Sequence, residues 1–79
     1  MAMAHYRVWC RVQAVGADQH LATVSAAPVQ ESPPTMAMES ESRLVTSRWL
    51  ADAAITEMVE AMRTRLRRAG HLVVTVEDV

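Results

Sequence analysis

The sequence is poor in the residues that staple small domains together. It has one cysteine in 79 residues, so no intramolecular disulfide can form and a secreted disulfide-rich domain is excluded. No histidine or cysteine spacing typical of a metal site offers a substitute. A chain of this length predicts a single small domain, residues 1–79, near the lower size limit for independent stability. We therefore expect it to gain stability by self-association.

The sequence also lacks a strong charge of either sign. Eight basic residues face nine acidic ones, which gives a net charge of −1 and makes the whole chain a poor match for nucleic acid or an anionic membrane. Lysine, asparagine and phenylalanine are absent and isoleucine occurs once, as a GC-rich bacterial genome would produce. No apolar run is long enough to span a membrane, and "MAMAHYRVWC" lacks the order of a signal peptide. We expect a cytoplasmic protein.

One stretch near the N-terminus, "HYRVWCRVQAV" (residues 5–15), predicts a strand with two different faces. The apolar row that would enter a core is Tyr6, Val8, Cys10, Val12 and Ala14. The other row holds Trp9 between Arg7 and Arg11, on the face expected to meet water. Residues 16–19, "GADQ", predict a turn, and residues 20–29 predict the returning strand of a long hairpin.

Residues 30–42, "QESPPTMAMESES", interrupt the alternation. They contain two prolines and three acidic residues with no sustained period, which predicts a flexible acidic loop. Structureless loops of this length are uncommon in compact domains. A short additional strand at "TMAM" or "RLVTS" therefore stays open as an alternative.

The strongest pattern covers residues 47–70 and predicts an amphipathic helix with one buried face. Its apolar side chains recur every three or four positions at Ala51, Ile55, Met58, Met62, Leu66 and Ala69. Ser47 or Thr46 is expected to cap its start, and Gly70 is expected to follow its end in a left-handed conformation. Trp49 in the first turn is expected to close one end of the core.

Residues 71–79 predict a final strand, with Leu72, Val74 and Val76 facing one way and Val73, Thr75 and Glu77 the other. The predicted fold class is α+β, in the order β-β-α-β. It is a three-stranded sheet, formed by a hairpin plus a split β-α-β unit, with one long amphipathic helix on one face. The final strand is expected to run parallel to the second. It could pair with the second strand or with the first, and pairing with the first is favoured because the longest strand then lies at the centre.

No pattern predicts catalysis, a bound cofactor or a metal ion. Cys10 lies in the apolar row of a predicted central strand, and free cysteine is usually buried. The three histidines, His5, His20 and His71, are expected to be structural. The sequence also lacks a glycine-rich phosphate loop and a nucleophile elbow. We therefore expect a protein that is not an enzyme.

One helix can cover only one face of the predicted sheet. The uncovered face is expected to hold Arg7, Trp9, Arg11, Val73 and Thr75. Tryptophan and arginine are enriched at binding hot spots, so this face predicts a self-association interface in a structural or adaptor protein. A symmetric dimer is the simplest form, with the arginines on the rim reaching acids such as Glu77. An unidentified protein partner would use the same face.

The alternative function is a weak nucleic-acid-binding module. A row of arginine, tryptophan and arginine can stack on bases and contact phosphates, and the predicted helix ends in Arg63, Arg65, Arg67 and Arg68. Cations are, however, favoured in the last turn of any helix, and the chain as a whole is not basic. The sequence therefore favours self-association over nucleic-acid binding.

Overall fold

The structure, a computed structural model, describes residues 5–29 and 39–78. Its elements are β1 (His5–Gly16), β2 (Gln19–Pro28), β3 (Glu39–Val45), α1 (Arg48–Arg68) and β4 (Leu72–Asp78). The α+β class is confirmed, and α1 packs on one face of a mixed sheet. That sheet has four strands in the order β3-β2-β1-β4, so the prediction of three strands is wrong.

The additional strand, β3, begins inside the segment predicted to be a loop. The loop prediction is therefore wrong for residues 39–42, whereas residues 30–38 lie outside the described part of the chain. Strand β3 pairs antiparallel with β2, which reverses the chain once more than a three-stranded sheet would. As a result β4 runs parallel to β1. The expectation that the final strand runs parallel to the second strand is therefore wrong. The expected position of β4, beside β1, is confirmed.

The predicted hairpin is confirmed. Strands β1 and β2 pair antiparallel from Tyr6 opposite Pro28 to Ala14 opposite His20. Pro28 ends β2, where its missing N–H costs no ladder hydrogen bond. The apolar rows of the two strands form the centre of the core under α1, with Val8, Ala22 and Val24 at most 1% exposed.

Helix α1 begins and ends at the predicted signals. The Ser47 hydroxyl accepts a hydrogen bond from the Leu50 N–H at 3.1 Å, and Gly70 follows the helix with φ of 87°. The buried positions are Ala51, Ala54, Met58, Met62 and Leu66. The described residues include no helix that combines the length and the hydropathy needed to cross a membrane.

Two side chains near the ends of α1 were expected to be buried but are exposed. Trp49 is 76% exposed and closes no part of the core, because its position in the first turn points away from the sheet. Ala69, expected at the end of the apolar stripe, is also exposed. The helix therefore buries small side chains near its start and methionines and a leucine along the rest of its length.

The faces of β4 also differ from the expected alternation. Tyr6 pairs with Val73, but the next pair is Arg7 with Thr75, so Val74 is an extra residue in β4. Val73 consequently packs against the core, although the regular alternation had placed it on the opposite face. The three side chains expected in the core, Leu72, Val74 and Val76, are all more than 40% exposed.

Candidate interaction surface

The sheet has a second face, opposite α1, on which no described element packs. We call it the open face and define it by the outward rows of the four strands. These are Arg7, Trp9 and Arg11 on β1, Thr23, Ser25 and Ala27 on β2, Ser40, Ser42 and Leu44 on β3, and Thr75 and Glu77 on β4. Successive side chains of a strand point to opposite faces of a sheet, and the single helix α1 covers only one of those faces.

Trp9 lies near the middle of the open face and is held by its neighbours. Its strand partners are Ser25 on β2 and Glu77 on β4. The guanidinium carbon of Arg7 lies 5.6 Å from the centre of the Trp9 ring, within cation–π range. The Arg7 Nε also donates to the Glu77 carboxylate, so one arginine links the indole to the edge strand. Glu77, expected to meet the arginines of this row at the rim of a dimer, is therefore already paired with Arg7 within one chain.

The β2–β3 side of the open face is lined with hydroxyl groups. The hydroxyls of Thr23 and Ser42 lie 3.2 Å apart, and those of Ser25 and Ser40 lie 3.3 Å apart. Each pair joins side chains directly opposite in the strand register. This half of the face therefore carries hydroxyl groups with partners within the chain, beside Leu44, which is 55% exposed, while Ser25 and Ala27 are buried.

The structure brings together four of the five residues predicted for the interface. Arg7, Trp9, Arg11 and Thr75 share the open face, and Val73 does not, because the extra residue in β4 turns it into the core. Sequence reasoning missed the contribution of β3. The signal was the strict alternation in "ESESRLV", which separates Ser40, Ser42 and Leu44 from the charged positions between them.

The helix-end arginines predicted for nucleic-acid binding do not join this surface. They belong to α1, which covers the opposite side of the sheet. Two of them already have carboxylate neighbours: Arg65 lies 3.2 Å from Glu39, and Arg63 lies 3.8 Å from Glu60. Arg67 lines a groove beside β4, and Arg68 does not line it. Arg63 lines the same groove as Arg67, whereas Arg65 reaches β3, so the four arginines form no single strip with Arg7 and Arg11.

The chemistry around Cys10 does not favour a nucleophile. Its side chain is only 4% exposed, and burial, followed by the nearby charge of Asp78, raises the pKa of the thiol. A neutral thiol is a weak nucleophile. A cleft of about 520 Å³ lies beside it, and its charged groups include Arg48 and Asp52, which are hydrogen-bonded to each other at 3.3 Å.

His71 packs against an aromatic ring. The His71 ring lies 4.8 Å from the Tyr6 ring, at the junction of α1 and β4. Its Nδ1 is buried without a hydrogen-bond partner, as is Nδ1 of His20, within the part of the chain that the structure describes. In residues 5–29 and 39–78 no three histidine, cysteine or acidic side chains gather closely enough to hold a metal ion.

Fold and surface together define a small α+β protein with one helix, a four-stranded mixed sheet and one open sheet face. The chain matches no protein-family model, and comparison finds no curated protein and no solved structure with significant similarity to it.

Proposed function

We propose that this chain is a self-associating structural or adaptor protein and that the open face is its interface. The observation that carries the proposal is the position of Trp9, partly exposed in the middle of a sheet face on which no described element packs. A domain of this size buries too little apolar surface to be comfortably stable alone. Covering the face that carries its tryptophan would add to that burial.

The neighbours of Trp9 lower the cost of association. Arg7 is held by Glu77 and by the indole before any partner arrives, so less side-chain freedom is lost on binding. The paired hydroxyls of β2 and β3 keep their hydrogen bonds when water leaves the face. Arg11, at the end of the row, is exposed and suits the polar rim of an interface.

A second copy of the same chain is the favoured partner because one self-complementary patch is enough for a two-fold dimer. In such a dimer the two Trp9 side chains lie close to the axis, surrounded by the hydroxyl groups of β2 and β3. This arrangement resembles a hot spot, in which an aromatic anchor is enclosed by contacts that exclude water.

The test compares two tryptophan substitutions by sedimentation velocity over a concentration series. We expect Trp9→Ala to raise the dissociation constant of the dimer by at least about thirtyfold, the usual loss for a hot-spot residue. Trp49→Ala is the matched control, since Trp49 is 76% exposed but lies on the outer side of α1. It should leave the dissociation constant unchanged. A monomeric wild type, or equal effects of the two substitutions, would refute this interface.

Nucleic-acid binding remains the second candidate, and the stacked Arg7–Trp9 pair is the feature that favours it. The separation of the helix-end arginines from that pair argues for weak and non-specific binding. Titration of labelled single-stranded DNA at several salt concentrations tests this candidate. Nanomolar affinity for one defined sequence at physiological salt would reverse the order of the two proposals.

A further inference from the structure

Strand β4 is an edge of the sheet, and three of its exposed side chains are aliphatic. It pairs with β1 on one side only, so its outer backbone groups have no strand partner in the described residues. Leu72, Val74 and Val76 are 47%, 44% and 43% exposed. An unpaired edge with exposed aliphatic side chains is a template for pairing with another strand.

The opposite edge of the sheet, β3, is protected in ways that β4 is not. Charged side chains alternate along β3, and two of them are tied to the helix. The Arg43 guanidinium donates to Glu57 at 2.7 Å, and Glu39 lies 3.2 Å from Arg65. Charges along an edge discourage strand addition. In β4, by contrast, the charged residues occur only at its C-terminal end.

The two ends of β4 carry opposite charges. A groove of about 330 Å³ beside its N-terminal end is lined by Arg63, Arg67, His71, Leu72 and Val73. Its C-terminal end carries Glu77 and Asp78. Two copies of β4 placed antiparallel bring the acidic end of each to the basic groove of the other, twice in one symmetric contact. A parallel arrangement would place like charges together.

The extra residue in β4 makes this antiparallel pairing consistent with the two faces of the sheet. Val73 and Val76 are three residues apart, yet both lie on the helix side, beside Tyr6 and Val8. A two-fold axis between Val74 and Thr75 sets Val73 of one copy opposite Val76 of the second copy. The Val73 and Val76 side chains of the two copies then meet on the helix side of the joined sheet. Val74, the extra residue of each strand, lies near the axis.

We propose that β4 is a second self-recognition surface, through which two copies pair antiparallel and join their sheets into one continuous eight-stranded sheet. This contact is independent of the open face, which stays uncovered in such a pair. When both contacts form, each chain has two kinds of two-fold contact, and the assembly closes as a tetramer if the two axes intersect at right angles and otherwise extends as a row of dimers.

The first experiment is a charge exchange, read out as the dissociation constant from sedimentation equilibrium. Arg67→Glu and Asp78→Arg should each weaken the β4 contact by about tenfold, and the double variant should restore it to within about threefold of the wild type. Arg68→Glu is the matched control, because it makes the same charge change one residue away from the groove. A double variant weaker than either single one, or an equal loss in the control, overturns the proposal.

The second experiment separates this contact from the open-face interface. Val76→Lys places a charge on the apolar edge and should weaken association by at least about tenfold. Leu50→Lys, on α1 at a side chain that is 39% exposed and belongs to neither proposed surface, makes a similar apolar-to-charged change and should leave association unchanged. If Val76→Lys dissociates the assembly and Trp9→Ala does not, β4 is the interface and the open-face proposal fails. The reverse result rejects the β4 contact alone, and a wild type that is monomeric throughout rejects both.

Discussion

At the scale of single residues, the two tryptophans have opposite surroundings. Trp49 is expected in the core and is 76% exposed, whereas Trp9 is expected to face water and is partly buried against Arg7. The difference follows from their neighbours. Trp49 lies on the outer side of α1, although Ala51 in the same turn is buried, whereas Trp9 lies on a central strand with neighbouring strands on both sides. Residue type alone therefore does not determine which tryptophan can anchor an interface.

Cys10 makes the stability of the fold sensitive to alkaline pH. Burial raises the pKa of its thiol above the ordinary 9.0, and the charge of Asp78 adds to this shift. At a pH between the thiol pKa of the unfolded chain and that of the folded chain, Cys10 has lost its proton in the unfolded state but keeps it in the native state. The free energy of unfolding therefore falls as the pH rises above about 9, by at most about 1.4 kcal/mol per pH unit for one proton.

The check is urea unfolding of wild type and Cys10→Ala between pH 8 and pH 10.5, at a fixed protein concentration. We expect the variant to lose less stability over this range than the wild type does. Asp78→Asn removes the smaller cause of the shift and should give an intermediate dependence. If the wild type and Cys10→Ala lose the same free energy of unfolding over this pH range, the thiol has the same pKa in the folded and unfolded states.

At the scale of elements, α1 is held to the sheet chiefly by methionine and leucine side chains. Met58 is 1% exposed, Met62 0% and Leu66 2%. Unbranched methionines fill irregular space against the small alanines of β2. The ion pairs of α1 with β3 are exposed and contribute little to the free energy of unfolding.

Truncation of the helix face should therefore be costly, and truncation of its outer face should not. We expect Met62→Ala to lower the free energy of unfolding by about 2–5 kcal/mol, because it removes buried surface and leaves a cavity. Thr64→Ala, two residues along and exposed, should change it by less than about 0.5 kcal/mol. Chemical denaturation of both variants measures the difference. A loss below about 1 kcal/mol for Met62→Ala would contradict this packing of α1.

At the scale of the whole molecule, the sheet is most stable at its centre. Strands β1 and β2 each have strand neighbours on both sides, and their apolar rows lie under α1. The two edge strands each have one neighbour, and β4 keeps much of its apolar surface exposed. Opening should therefore begin at the edges and reach the hairpin last.

Amide hydrogen exchange tests this order of stability at protein concentrations low enough to leave the chain monomeric. The slowest amides should lie in residues 6–10 and 22–27, with faster exchange in β3 and β4. Raising the concentration should slow exchange in β4 more than in β3 if copies pair through β4. Slowest exchange in β3, or equal protection of all four strands, would contradict the predicted order.

Local patterns in the sequence were enough to predict β1, β2, α1 and the row of Arg7, Trp9 and Arg11. The alternation of β1, a serine cap and a glycine after the helix are signals carried by neighbouring residues, and the described structure confirms the cap, the glycine and the alternation as far as Val12. Ala14, expected in the apolar core row, is exposed because it lies near the turn end of the hairpin. For the position of β4 the sequence allowed pairing with β1 or with β2 and favoured β1, which places the longest strand at the centre of the sheet, as the structure has it.

Tertiary structure decided what depends on distant neighbours. A strand as polar as β3 buries little by itself and is held by its pairing with β2 and by contacts with α1, so composition indicated a loop. That one strand reverses the chain direction and makes β4 parallel to β1. The extra residue at Val74 arises only when β4 is matched against β1, and it moves Val73 from the open face into the core. Pairing register is a property of two strands together, and a single strand's sequence does not contain it.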